Sequence, residues 1–146
     1  MPVKAIPEGY GAVTPYLIVK DANALLTFVQ EAFGARVKEA HRMPDGTVMH
    51  ADVVIGDSHV MLGQAGGPWR AIPGSILLYV EDADATYAAA LKAGAKSVQE
   101  LTNQFYGDRS GGVEDPSGVT WWISTHIEDV STEELERRMK SHRPPS

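Results

Sequence analysis

The sequence contains no cysteine. That excludes a disulfide framework, a thiolate metal site and a thiol nucleophile. No stretch is long and apolar enough to cross a bilayer as a helix. The opening residues, MPVKAIPEGYGAV, lack the apolar run of a secretory signal, so a soluble, cytoplasmic protein is expected. Positive charge is also in short supply. Thirteen Lys and Arg stand against nineteen Asp and Glu, for a net charge of −6. That balance argues against a nucleic-acid-binding surface and mildly favours a neutral or cationic small ligand. Two catalytic signatures are missing as well. GQAGG (63–67) and RSGG (109–112) have neither a Walker pattern nor a following helix. GDSH (56–59) lacks the flanking glycine spacing of a nucleophile elbow.

What is present is a repeat. The 146 residues are 43% hydrophobic, enough for one domain with a core. VTPYLIV (13–19) is a β-rich run. Asp21 then stands as an N-cap before Leu25, Phe28, Val29, Ala32 and Phe33 at helical spacing, and Gly34 is a C-terminal stop. The same order returns at SILLYVEDADATYAAALKAGA (75–95). Val19, Asp21, Ala22 and Ala24 fall on Val80, Asp82, Ala83 and Ala85, an offset of 61 (80 − 19). Gly34 falls on Gly94, an offset of 60 (94 − 34), so one residue is lost inside the second helix. That helix is expected to be amphipathic through Tyr87 and Leu91. Three strand-like runs separated by turn signals follow each helix. The expected fold is therefore α+β: a single domain over 1–146 built of two βαβββ modules, 13–64 and 75–126. Their mixed sheets are curved, with helices on one face and a cup on the other. The Gly- and Pro-rich stretch 63–74 links the modules. Ser131 and Glu134 form a capping-box pattern opening a charged C-terminal helix over 131–141, either solvated or clasping a partner subunit.

Alternation along the strands sorts the side chains. Leu17, Val19, Val60, Leu62, Val119, Trp121 and Ile123 should pack under the helices. Thr14, Tyr16, His59, Met61, Tyr79 and Trp122 should line the cup, where rings and hydroxyls suit a planar or amphipathic ligand. A semi-buried second core or a dimer contact is the competing use of that face. His50 and Asp52 share one face of GTVMHADVV (46–54), opposite Met49, Ala51 and Val53. They read as a polar lining, or as an acid–base pair or displaced metal site with His41 or His59. His50 is the candidate for any chemistry. Arg109 could fork onto an anionic group or order its loop together with Asp108. Trp69, in the linker, is a lid on the cup or is buried at the module junction.

VTPYLIVKDANALLTFVQEAFGA, GTVMHADVVIGDSHVMLG and YGDRSGGVEDPSGVTWWISTH together resemble the vicinal oxygen chelate superfamily, which contains glyoxalase I, bleomycin resistance proteins and extradiol dioxygenases. More narrowly they resemble its PhnB-like subgroup. The resemblance implies paired βαβββ modules and a homodimer whose modules complete each other's cups. It also implies where metal-using relatives carry their ligands. Those four positions here hold Thr14, Met61, Ser75 and Trp122, a set ill suited to a divalent ion. The expected function is small-molecule binding without a cofactor or the usual metal, with Thr14, Tyr16, His50, Asp52, Met61, Tyr79, Trp122 and Arg109 as ligand contacts. The alternative is a metal-dependent lyase, isomerase or dioxygenase with a non-standard site around His50.

Overall fold

Asp21 and Asp82 begin the two halves in the same way. Each caps a helix by accepting the amide of the residue three positions on, Ala24 at 3.0 Å and Ala85 at 3.1 Å. The computed structural model describes residues 3–72 and 74–141. Strand β1 (Tyr16–Val19) leads into helix α1 (Ala22–Phe33). Strands β2 (Arg36–Arg42), β3 (Val48–Ile55) and β4 (Ser58–Gln64) follow. The second half repeats this as β5 (Ser75–Tyr79), α2 (Ala83–Lys92), β6 (Lys96–Asn103), β7 (Asp108–Glu114) and β8 (Thr120–His126). A last helix, α3, spans Thr132–Ser141. Its first turn is capped by Ser131 Oγ, which accepts the Glu134 amide at 3.1 Å.

The result is two four-stranded mixed sheets, ordered β1-β4-β3-β2 and β5-β8-β7-β6. The first strand of each module pairs in parallel with its last, Tyr16 opposite Met61 and Leu77 opposite Trp122. Both residues of the second pair are 61 positions beyond those of the first, so the spacing found in the sequence survives as sheet register. The helix-facing residues form the core. Leu17, Val19, Val60, Leu62, Val119, Trp121 and Ile123 are all buried against it. Phe33 of α1 meets Trp121 edge-on at 4.8 Å, joining the halves inside this core.

The second helix departs from its expected stripe. Its buried residues are Ala83 and Ala90, with Tyr87 packed at the margin, while Leu91 is left exposed. Two alanines give α2 a thin buried face, and α1 packs against it.

Candidate functional site

The two adjacent tryptophans part to opposite faces of β8. Trp121 is fully buried, and its indole N–H donates to Asp115 Oδ2 at 2.7 Å. Asp115, buried in the turn before β8, also accepts from the Ser117 and Val119 amides. Trp122 lies on the other, open face, half-buried. Its indole N–H donates to Ser75 Oγ at 3.0 Å, and its six-membered ring lies over Gly112 of β7. A Cβ on Gly112 would come within 2.5 Å of that ring, so only a glycine leaves room for the indole.

On the open face of the first sheet the centre is Asp52. It is fully buried on β3 and lies opposite Met61. His59 Nδ1 contacts one carboxylate oxygen at 2.9 Å, and the Tyr10 hydroxyl donates to the other. Tyr10 stacks on His59, ring centroids 3.8 Å apart. Lys38 lies 4.5 Å over the Tyr10 ring and donates to its hydroxyl at 2.9 Å. Burial alone would push the Asp52 carboxyl up. The hydrogen bonds from Tyr10 and His59 and the nearby positive charge outweigh it and hold the group below the usual carboxylate value. Asp52 therefore works with His59 rather than with His50. Tyr10 and Lys38 had no signal in the sequence, because Tyr10 comes from a coil and Lys38 sits at a bulge in β2.

His50 faces aromatic rings. Tyr16 lies 5.6 Å and His41 6.1 Å from it, centroid to centroid. A second bulge corrects the reading of Met49. His41 pairs with His50 but Arg42 pairs with Val48, so Met49 is the unpaired residue and the alternation breaks there. Val48 takes the buried position, and Met49 instead lines a cavity of about 460 Å³ with Tyr16, Ile18, Gly63, Gln64 and Trp69. Trp69 is 65% exposed, held out by a tight turn bonded between Gly66 and Trp69, and so is not buried at a junction of this chain.

The other expected residues are dispersed. Tyr79, on the open side of β5, donates to buried Asp108 at 2.8 Å, and that carboxylate raises its hydroxyl pKa. His126 is held from both sides, by Asp108 at 2.9 Å and Asp129 at 2.7 Å. Arg109 points away from the open face. Its guanidinium takes both oxygens of Asp84 on α2, at 2.8 and 2.9 Å, and Asn103 at 3.1 Å. The fork expected for an anionic ligand group is thus filled from within. Thr14 precedes β1 and lines a cavity of about 400 Å³ with His59 and Leu77.

A resident divalent ion does not fit the residues at the four positions named by the resemblance. Two of them, Ser75 and Trp122, are bonded to each other, and an indole N–H carries no lone pair for a cation. Met61 offers a soft thioether and Thr14 a neutral hydroxyl. Among the described residues, no three His, Asp or Glu side chains gather where an ion could be held.

The profile of the Glyoxalase/Bleomycin resistance protein/Dioxygenase superfamily matches residues 10–123. An uncharacterized protein of Mycobacterium bovis is 35% identical over 141 residues, covering 89% of this chain and 93% of its own length. The crystal structure of TioX from Micromonospora sp. ML1 superposes with a TM-score of 0.70 at 25% identity, covering 80% of this chain and 99% of that one. The fosfomycin resistance protein FosX from Mesorhizobium loti does so with a TM-score of 0.60 at 21% identity, covering 86% and 97%, a likeness of fold.

Proposed function

The chain belongs to the glyoxalase/bleomycin resistance protein/dioxygenase superfamily, and on that premise we propose that it is a small-molecule binding protein of the bleomycin-resistance kind. Its ligand is planar or amphipathic and rests on rings and hydroxyls, with no covalent step. The observation that carries this reading is the Trp122–Ser75 hydrogen bond, which ties two of the four positions used by metal-binding relatives into an aromatic and hydroxyl lining. Tyr16 and Tyr79 support it, since both stay more than half exposed on open sheet faces. Aromatic faces of this sort give large contact area at low conformational cost. Thr14, Met61 and His50 complete the proposed lining, while buried Asp52 supports it from behind through His59 and Tyr10 and Arg109 contributes through the order it gives to β7. The same faces expose Leu77 and Val98, which supports a homodimer in which a second copy covers them; we propose a cytoplasmic setting for it.

Thermal unfolding with a panel of planar drugs and metabolites tests the proposal, with tryptophan fluorescence as a second readout. A ligand at a hundred times its Kd should stabilise the fold by about 2.7 kcal/mol, and the gain should vanish in Trp122→Ala. No shift across the panel, with fluorescence also unmoved, would overturn it. So would one divalent ion bound per chain and lost in His50→Ala, which would support a metal-dependent lyase, isomerase or dioxygenase.

A further inference from the structure

Along β4, two residues before Met61, the partner of Tyr16, the surface changes character. Arg36, Lys38 and His59 line one cavity of about 410 Å³, floored by Val54 and Gly56 and bordered by Gly9. In a chain of net charge −6, two cations here stand against the single carboxylate of Asp57, a local excess of positive charge. Three observations distinguish the cavity from a solvated charged edge. First, the His59 side chain is only 11% exposed, and its Nδ1–H is committed to Asp52, which as a buried carboxylate can only accept. The remaining ring nitrogen, Nε2, is thereby fixed in orientation beside Gly9 at the cavity's border, 3.7 Å from where a Cβ on that glycine would sit, and among the described residues it has no hydrogen-bond partner. Second, the Arg36 guanidinium makes no hydrogen bond or ion pair among the described residues, in contrast to Arg109 and Arg138, whose forks are filled by carboxylates. Third, Lys38 is held at the rim by the Tyr10 ring and hydroxyl.

We propose that this cavity binds the oxyanion group of a small ligand, a carboxylate or a phosphoryl, between the Arg36 fork and His59 Nε2, with Lys38 at its edge. A guanidinium presents paired donors that match such a group. With Nδ1–H given to Asp52, Nε2 accepts from a protonated oxyanion, or donates to a deprotonated one when the ring is an imidazolium. Asp57 lines the same cavity, and its carboxylate, which already accepts from the Ser58 hydroxyl, opposes an anion there. The site adjoins the aromatic lining proposed above through His59 but uses none of its rings, and it stands whether or not that reading holds.

Inorganic phosphate and acetate are the probes. Each is titrated into the full chain at constant ionic strength set with chloride, while nitrogen NMR follows the histidine rings and arginine side chains. Saturable shifts at His59 and Arg36 are expected, with His41 and His50 unmoved. The tighter of the two probes identifies the group as phosphoryl or carboxylate. Arg36→Gln, a change at an exposed strand position, should weaken binding about tenfold or more, and Asp57→Asn should tighten it. Circular dichroism confirms that both variants fold. The proposal is overturned if chloride alone produces the same shifts, if all histidines move together, or if Arg36→Gln binds as the wild type does.

Discussion

Asp52 and Gly112 occupy the same place in the two sheets. Asp52 sits opposite Met61, and Gly112 sits opposite Trp122. Their separation is 60 (112 − 52), as the residue lost in the second helix requires, while that of Met61 and Trp122 is 61 (122 − 61), because the turn between β7 and β8 regains one residue. One sheet thus carries a carboxylate beside a thioether, and the other carries a bare backbone beneath an indole. The repeat is one of architecture, and its two open faces have opposite chemistry.

Gly112→Ala should show how tightly the indole is seated. The new methyl would overlap the Trp122 ring, and crowding of this kind costs about 1–3 kcal/mol. In a Trp122→Ala background most of that cost should disappear. Urea unfolding of the four proteins in a double-mutant cycle measures the coupling. Equal costs in both backgrounds would show that the ring is not seated over Gly112.

The neighbouring tryptophans should separate stability from binding. Trp121→Ala empties a fully buried site and leaves the Asp115 carboxylate without its indole donor, so a loss of about 3–5 kcal/mol is expected. Trp122→Ala, on the open face, should cost roughly 1 kcal/mol while abolishing the ligand-induced shift. Chemical denaturation and thermal shift on the two variants check this.

Asp52 should make stability depend on acid pH. Its folded carboxyl lies below the unfolded value of about 3.9. The unfolded chain therefore binds the proton first, and the stabilisation is present above that value and lost as pH falls through the folded one. Asp52→Asn should flatten the dependence in this window while lowering stability near neutrality. Unfolding free energy measured across the acid range tests both statements.

His126 should titrate high. Asp129 and Asp108 bind its two ring nitrogens and raise its pKa above the usual value of about 6.5. The stabilisation is complete below that value and is lost as pH rises through the folded pKa, the reverse of the Asp52 case. Asp129→Asn should bring the titration down, as followed by imidazole NMR signals. An unchanged midpoint would show that Asp129 does not hold the ring.

Much of this could be read along the chain. The pattern Asp21-Ala22-x-Ala24 repeated at Asp82, with strands before and after, gave the helices, their caps and the α+β class, because capping and periodicity are local. Alternation along VTWWIST separated Trp121 from Trp122 for the same reason. It failed at Met49, where an unpaired residue breaks the alternation, and a bulge is set by the partner strand. It also left His50 and Asp52 as a pair, because a shared face says nothing of which neighbour a carboxylate bonds.

The sequence by itself determined which segments form helices and strands and, away from the bulge at Met49, which side chains turn toward or away from the helices, since those follow from backbone geometry and spacing. Only the tertiary structure decided that Asp52 takes Tyr10 and His59 as partners, that Arg109 is tied to Asp84, and that Trp122 lies over Gly112 bonded to Ser75. Most of these join residues far apart along the chain, and the Asp52–His59 and Trp122–Gly112 contacts cross between neighbouring strands. Hydrogen bonds and ring contacts act over a few ångströms, so which of the many possible partners is met depends on how sheets and helices bring distant segments together.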